Sequence, residues 1–257
     1  FVGSPSSVTR LMRDRPAGAG SLASLRAVQI TGARLPGALA RAIRERVCPN
    51  LWCSYGATEI GPVAFGPLAS MGDRPGATGY VVPRIEVQAV DEAGRALPPG
   101  RPGLLRMRGP GMCHAYVEHP EASAQRFHDG WFVPGDIGTV HDDGVLCVEG
   151  RNDDLINLGG SKFAPEIFEE ILLGVPGVLD AAAFPIHAAD GASAVGAAIV
   201  ASRDVSVQAL EAPFRGSQLP MPAIVLRMAR LPRTDTGKVL RRELAEMATS
   251  RRPAAPA

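Results

Sequence analysis

Lysine is almost absent from this chain of 257 residues. Only Lys162 and Lys238 occur among 27 basic residues, which leaves 25 arginines. Lysine supplies a compact point charge on a flexible stem, whereas arginine supplies a planar fork, so a lysine kept in such a chain is expected to have a specific use. Lys238 also follows Gly237, and a residue without a Cβ lets the backbone approach a ligand closely. A Gly-Lys pair alone more often marks a solvated turn, so the interpretation depends on other motifs.

Three further shortages exclude whole classes of protein. The four cysteines form no Cys-x-x-Cys pair, which argues against a disulfide framework and predicts reduced thiols in the cytoplasm. The net charge is +1 and no basic stripe interleaved with aromatic residues occurs, so no nucleic-acid partner is expected. The longest apolar stretch, residues 178–200, is interrupted by Asp180, Pro185, His187 and Asp190, so no transmembrane segment is expected.

The two ends of the chain differ in character. Phe1 opens directly into an apolar run without a polar lead-in. Since chains seldom begin inside structure, we expect further sequence before Phe1. The other end, residues 251–257, is predicted to be a disordered tail.

The order of helical and apolar segments divides the chain into regions. Residues 1–62 alternate helices with short apolar runs, which is typical of an α/β domain. From about 73 to 150, short β runs separated by Gly and Pro favour a small β-barrel-like subdomain or a strongly twisted sheet. The remainder predicts a compact α+β unit, with a boundary that makes 1–152 a core domain and 153–250 a second domain. Residues 2–11 are predicted to be a strand end, a turn and a helix. The other predicted helices are 35–47 and 165–173, and the predicted strands are 25–31, 51–55, 84–90, 103–108, 139–141, 145–149, 178–185, 194–200 and 224–228.

The segment 54–59, with the sequence SYGATE, follows a predicted strand and carries side chains suited to a nucleotide. The Tyr55 ring can stack on a base, the Thr58 hydroxyl can bond a phosphate oxygen, and the Glu59 carboxylate can bind Mg²⁺. Many strand-to-loop junctions carry similar residues, so this segment alone does not decide the function.

Asp136 lies in the glycine-rich segment 130–138, with the sequence GWFVPGDIG. We expect it in a turn, where its carboxylate could accept two hydrogen bonds from a ribose diol, as acidic residues do in other nucleotide sites. An ordinary aspartate turn is the alternative. Residues 150–170 then predict a polar hinge, a short strand, a Gly-Gly loop and a helix that begins with proline and carries acidic residues in its first turn.

In this order, the segments resemble motifs of the adenylate-forming superfamily, which includes acyl-CoA synthetases, carrier-protein adenylation domains and luciferase-like enzymes. Residues 55–59 resemble YGxTE, 130–136 resemble GWxxTGD, 150–160 resemble GRxxDxIxxGG, and 232–241 resemble PxTxxGKxxR. Four long motifs in the right order are far more specific than one glycine-rich match. The resemblance covers nearly the whole chain and implies the second part of a large core domain, followed by a small mobile lid.

The resemblance also implies a role for each matching position in the core. The implied nucleotide-binding residues are Gly32, Ala33, Tyr55, Gly56, Ala57, Thr58, Asp136 and Arg151. Tyr55 would stack on adenine, Thr58 would contact a phosphate, and Glu59 would bind Mg²⁺. Asp136 would hold the ribose hydroxyls, and Arg151 would fix the ribose and phosphate.

In the lid, Asp153 matches the hinge position, and Gly159 and Gly160 match the loop that lines the tunnel for the thiol acceptor. Lys238 would bridge the substrate carboxylate and the α-phosphate, where it would neutralise charge that develops during the attack. Lys238, Thr58 and Glu59 are therefore the implied catalytic residues.

The implied activity is that of an AMP-forming acid–thiol ligase. ATP and a carboxylic acid would give an acyl-adenylate, which CoA or the phosphopantetheine of an acyl carrier protein would capture. Acyl or aryl acids are favoured over amino acids, because no aspartate that would bind an amine can be placed.

Two departures from the family pattern keep a second function open. No Ser/Thr/Gly-rich phosphate loop with its lysine precedes Ser54, and Pro134 replaces the threonine beside Asp136. The chain is therefore interpreted as a truncated or split part of a ligase, inactive alone, or as a non-catalytic homologue that binds a nucleotide or a partner.

Overall fold

The computed structural model describes residues 1–13, 22, 24–72, 74–158, 161–187, 193–202, 205–215, 217, 219–235 and 237–250. The chain divides into two compact units, Phe1–Asn152 and Asp153–Ala257. The expected tail at 251–257 and the expected tunnel residues Gly159 and Gly160 lie outside the described residues.

Within the described residues, the first unit is built on a mixed sheet of 11 strands. Its elements are β1 (Val2–Gly3), α1 (Pro5–Arg13), β2 (Val28–Ile30), α2 (Gly37–Arg46), β3 (Leu51–Ala57), β4 (Gly61–Pro67), β5 (Ala77–Val81), β6 (Glu86–Val90), β7 (Gly103–Arg108), α3 (Pro120–Arg126), β8 (Phe127–His128), β9 (Trp131–Phe132), β10 (Asp136–Val140) and β11 (Val145–Arg151). The strand order is β1-β2-β3-β4-β5-β11-β10-β7-β9-β8, and β6 pairs with β7.

The first three strands are parallel, with α1 following β1 and α2 following β2. Helix α2 buries Ala40 and Ile43 on one face, three residues apart, as expected of an amphipathic helix. These residues pack with Val8 of α1 and with Val28 and Ile30 of β2 in one hydrophobic cluster. Parallel strands need such crossover connections, so this part of the chain forms the predicted α/β arrangement.

From β3 onward the strand pairs are antiparallel, and a second cluster, which includes Val63, Leu105, Met107, Phe132 and Leu146, forms their core. The pairing path has separate ends at β1 and β8, so the described strands form an open sheet and no closed barrel. The predicted mixed α/β fold is confirmed, and its β subdomain is an open part of the same sheet.

The second unit contains β12 (Ile156–Leu158), β13 (Ser161–Phe163), α4 (Pro165–Leu173), β14 (Val178–His187), β15 (Ser193–Ala201), α5 (Val207–Glu211), β16 (Ile224–Arg227) and α6 (Arg241–Ser250). Strands β14, β15 and β16 form a sheet in that order, with β14–β15 antiparallel and β15–β16 parallel. Strands β12 and β13 pair separately as an antiparallel hairpin.

Strand β14 is covered on both faces. Ala181 and Ala183 pack in a cluster with Phe168 of α4, whereas Ala182 and Phe184 pack in another with Leu244 of α6. Alternate side chains of a strand point to opposite faces, so the apolar run 181–184 within β14 follows from having a helix on each side. None of the helices in the described ranges is long and apolar enough to cross a membrane.

Candidate active site

Tyr55 and Asp136 are brought together by the sheet from positions 81 residues apart. Tyr55 lies near the end of β3, and its hydroxyl donates a hydrogen bond of 2.5 Å to Oδ2 of Asp136. Burial, followed by the charge of Asp136 and this hydrogen bond, raises the pKa of Tyr55 well above its usual value. The hydroxyl therefore stays protonated at neutral pH and remains a donor to the carboxylate.

Asp136 is the first residue of β10 and not a turn residue, which corrects the expectation from the sequence. The turn lies one residue earlier, at Gly135, where φ is +86° and the left-handed backbone favours glycine. A Cβ at Gly135 would also overlap the guanidinium of Arg126. The glycine thus lets the chain turn into the strand while an arginine lies against it.

Arg151 faces Asp136 across the β10–β11 pair. Its Nη1 lies 3.8 Å from Oδ1 of Asp136, and its Nη2 donates a hydrogen bond of 3.2 Å to the carbonyl oxygen of Pro134. The contact with Pro134 uses backbone, so it does not need the hydroxyl of the threonine that Pro134 replaces. Tyr55, Asp136 and Arg151, which the sequence motifs place far apart, form one cluster here.

The residues expected near the adenine base lie at the edge of the sheet that also carries Tyr55. Gly32 and Ala33 follow β2 and are exposed, and Gly32 has φ of +81°. Because β2 and β3 are parallel, their carboxyl ends meet at one edge, the side on which ligands bind in open α/β sheets. Gly56 and Ala57 end β3, and exposed Thr58 begins the turn that follows.

Glu59 lies in the turn between β3 and β4 and has a partner that no motif marks. The hydroxyl of Tyr116 donates a hydrogen bond of 2.6 Å to Oε1 of Glu59, and the backbone N–H of Cys113 donates one of 2.8 Å to the Glu59 carbonyl. Burial and the hydrogen bond to Glu59 raise the pKa of Tyr116 to about 12. The two side chains are 57 residues apart, so only the tertiary structure reveals the pair.

The carboxylate of Glu59 suits a magnesium ion whose other ligands are mainly the phosphates of a bound substrate. Oε2 of Glu59 accepts no hydrogen bond from the described residues, while Oε1 is oriented by Tyr116. The described ranges contain no group of three or more His, Cys, Asp or Glu side chains suited to a metal. Mg²⁺ commonly takes one or two carboxylates and completes its shell with phosphates and water, so a single glutamate suffices.

Trp131, in the segment resembling GWxxTGD, is contacted by two arginine side chains. The guanidinium carbons of Arg106 and Arg108 lie 4.4 Å and 4.2 Å from the centroid of its ring. Arg108 also pairs with Glu86, 2.6 Å away across the β6–β7 pair. These cation–π contacts hold the start of the motif on the sheet, next to the turn that leads to Asp136.

Gly56→Ala is expected to destabilise the β3–β4 hairpin, because a Cβ there would overlap the carbonyl oxygen of Gly61. The obstacle is backbone and cannot rotate away, so we expect the free energy of unfolding to fall by about 1–3 kcal/mol. Gly66→Ala is the matched control in β4, where a new Cβ first meets the ring of Tyr80. Urea denaturation compares the two variants, and an equal or smaller loss for Gly56→Ala would contradict the expectation.

Lys238 and Asp153 belong to the second unit. Asp153 lies in a short 3-10 turn, Asn152–Asp154. Lys238 is exposed in the loop between β16 and α6, and its backbone N–H donates a hydrogen bond of 3.1 Å to Oγ1 of Thr234. The lysine side chain is thus presented to solvent on a loop with internal hydrogen bonds.

Comparison with known proteins identifies the family. A family model described as AMP-binding enzyme matches residues 1–117. The medium/long-chain-fatty-acid–acyl-carrier-protein ligase FadD10 of Mycobacterium tuberculosis is 30% identical over 267 residues, covering 96% of this chain and 49% of that protein. The 4-coumarate–CoA ligase 1 of Solanum tuberosum is 32% identical over 235 residues, covering 87% of this chain and 43% of that protein.

A solved structure gives the same result. The crystal structure of ATP-bound MatB from Rhodopseudomonas palustris matches with a TM-score of 0.83 and 29% identity, covering 96% of this chain and 50% of that one. This chain spans about half the length of each of these relatives. The family model, both ligases and the matched fold agree with the four ordered motifs: the chain belongs to the adenylate-forming superfamily of AMP-binding enzymes.

Proposed function

We propose that this chain contributes a nucleotide site and a lysine-bearing domain to an AMP-forming acid–thiol ligase. The observation that carries the proposal is the cluster of Tyr55, Asp136 and Arg151 at the carboxyl end of β3. It combines an aromatic ring, a carboxylate and a guanidinium, the groups that suit a base, a ribose diol and a phosphate. The side chain of Asp136 is only 14% exposed, so hydrogen bonds to it are little weakened by water.

In the proposed complex, Asp136 accepts hydrogen bonds from the ribose hydroxyls and Arg151 faces the ribose and phosphate. The Tyr55 ring stacks on adenine, and the backbone of Gly32 and Ala33 borders the base. Gly56 and Ala57 shape the same loop, and Thr58 donates its hydroxyl to a phosphate oxygen. When bound, Mg²⁺ would neutralise phosphate charge, and Glu59, oriented by Tyr116, is the residue that would hold it.

The proposed reaction has two halves. A carboxylate oxygen of the acid attacks the α-phosphorus of ATP, a new P–O bond forms, and the bond to the bridging oxygen breaks so that pyrophosphate leaves. The ammonium of Lys238 stabilises the charge on the carboxylate and α-phosphate during this step. A thiol then loses its proton and attacks the acyl carbon, and AMP leaves with the electrons of the broken C–O bond.

The second half-reaction is proposed to need another orientation of the second unit. Asp153 is proposed as the hinge, because a few backbone dihedrals at such a position can swing a domain. Gly159 and Gly160 would then line the path of the thiol. The proposed acids are acyl or aryl acids, in keeping with the fatty-acid and 4-coumarate ligases that this chain resembles. CoA and a carrier protein are both compatible as acceptors, and the free cysteines are compatible with action in the cytoplasm.

AMP binding by the 257-residue chain tests the nucleotide site directly. We expect wild type to bind AMP in isothermal titration calorimetry, and Asp136→Ala to bind at least about tenfold more weakly, since hydrogen bonds to charged groups contribute about 1.5–3 kcal/mol. Asp142→Ala, which removes an exposed aspartate outside the site, is the matched control. The same chain is expected to show no ATP–pyrophosphate exchange, because its sequence supplies no loop to hold the β- and γ-phosphates.

The outcomes separate the proposed ligase from the alternative. Robust exchange by this chain would contradict the proposed dependence on a phosphate loop. No AMP binding, or equal binding by Asp136→Ala, would contradict the nucleotide site. If the complete protein that contains these residues binds AMP but forms no acyl-adenylate with any acid tested, the chain is part of a non-catalytic nucleotide-binding homologue.

A further inference from the structure

The loop that presents Lys238 is closed by its own backbone. The N–H of Thr234 donates a hydrogen bond of 2.8 Å to the carbonyl oxygen of Lys238, and the N–H of Leu240 donates one of 3.0 Å to that of Pro232. Arg233 and Val239 form an isolated antiparallel bridge between the two sides. The loop is therefore a short hairpin-like structure with Lys238 near its tip.

Arg233 joins the tip of this loop to the sheet. Its Nη1 donates a hydrogen bond of 2.8 Å to the carbonyl oxygen of Gly237, which belongs to the peptide group that links Gly237 to Lys238. Its Nη2 donates to both carboxylate oxygens of Asp180 in β14, at 2.9 Å and 3.0 Å. One guanidinium thus connects the peptide next to Lys238 with a strand that is packed on both faces.

The position of the pair argues against a role in folding alone. The side chains of Arg233 and Asp180 are 23% and 32% exposed, so water partly screens their attraction and reduces what the pair adds to stability. Its geometry, in contrast, constrains one peptide group at the reactive end of the loop. Gly237 has φ of +90°, and a glycine populates positive and negative φ about equally readily, so this residue does not by itself hold the backbone in one conformation.

We propose that Arg233 and Asp180 are positioning residues for Lys238. They fix the peptide between Gly237 and Lys238, so that the ammonium reaches the carboxylate and α-phosphate in one orientation. The catalytic part of this proposal rests on the proposed ligase function, whereas the anchoring of the loop does not. Neither residue touches the substrate in this scheme, so their whole effect on the reaction passes through Lys238.

Hydrogen exchange in the 257-residue chain tests the anchoring without any activity. Arg233→Gln and Asp180→Asn should each accelerate exchange of the amides of Thr234, Gly237 and Lys238 on the order of tenfold or more, because local opening becomes easier. Exchange in the β14–β15 ladder should not change. Arg230→Gln is the matched control, since it removes an exposed arginine close to the loop. Unchanged loop exchange in both test variants would overturn the anchoring.

Kinetics of the complete protein test the catalytic consequence. Arg233→Gln should lower kcat for acyl-adenylate formation by on the order of 10- to 100-fold, because a small misplacement of a catalytic group is costly. Conversion of presupplied acyl-adenylate to thioester should stay near normal. In a Lys238→Ala background, Arg233→Gln should cause no further loss, since the group that it positions is already gone.

The outcomes separate this proposal from the ligase function. Multiplicative losses in the double variant, or equal slowing of both half-reactions by Arg233→Gln, would overturn the positioning role. If Lys238→Ala itself does not slow adenylation, the ligase mechanism fails, and the catalytic role of Arg233 fails with it. Accelerated loop exchange would in that case still support the anchoring by Arg233 and Asp180.

Discussion

Replacing Lys238 by alanine is expected to lower acyl-adenylate formation by the complete protein on the order of 10²- to 10³-fold, the effect of removing one preorganised charge or donor from a developing anion. Lys162, 76 residues earlier, is the only other lysine in the chain. Conversion of presupplied acyl-adenylate to thioester should remain near its normal rate. ATP–pyrophosphate exchange and a single-turnover thioester assay measure the two halves separately.

Gly160→Trp supplies the reciprocal variant for the same prediction. It should spare adenylation and obstruct the path of the thiol by its bulk. Each of the two variants should therefore impair the half-reaction that the other leaves intact. Simple destabilisation cannot produce such a pattern, because it depresses both half-reactions together. Thermal melts of both variants control for folding. Equal slowing of the two half-reactions by Lys238→Ala in a well-folded protein would show that the two proposed orientations of the second unit are wrong.

The second large effect concerns Arg241, which begins α6 and is only 12% exposed. Its guanidinium lies 2.7 Å from Glu169, 3.1 Å from Glu166 and 3.5 Å from Asp154. Its Nε also donates a hydrogen bond of 3.1 Å to the carbonyl oxygen of Ala183 in β14. Burial lowers the pKa of Arg241, but the three carboxylates outweigh this effect and raise it overall.

Arg241→Ala should therefore destabilise the second unit strongly. Three carboxylates would remain clustered without their cation, and breaking such a buried network costs about 3–5 kcal/mol. Arg242→Ala is the matched control, because the neighbouring arginine is 93% exposed and pairs with Glu246 one helical turn away. Exposed pairs of this kind contribute little. Chemical denaturation, with hydrogen exchange to locate the unit that unfolds, measures both. Similar stabilities of the two variants would refute the structural role of Arg241.

The elements with a clear hydrophobic pattern could be predicted from the sequence. The helix at Pro165–Leu173 and the strand at Gly103–Arg108 have their predicted bounds. Strand β4 was missed because Gly and Pro occur at both of its ends, a composition that argues against a central strand. Helix α3 was missed because it buries no residue and so has no apolar period.

The residues of the candidate site could be predicted from the sequence, but the contacts that hold them could not. Motif order alone selected Tyr55, Asp136 and Arg151, and the sheet brings these three together. The hydroxyl bond of Tyr55 to Asp136 and the pairing of Tyr116 with Glu59 could not be predicted, since each depends on strand order over more than 50 residues. Arg233 was likewise not selected, because its partner Asp180 lies 53 residues earlier. Sequence motifs identify reactive groups more readily than the groups that hold them.

The packing of β14 on both faces has a mechanical consequence. Helices α4 and α6 pack against opposite faces of this one strand. Close-packed interiors of this kind resist compression and transmit strain. A rotation that begins at Asp153 would then carry α4, the sheet and the Lys238 loop through the same angle. If Asp153 is the hinge, as proposed, the second unit would rotate as a rigid body. The displacement of Lys238 would then be set by its distance from Asp153 and by the angle of rotation.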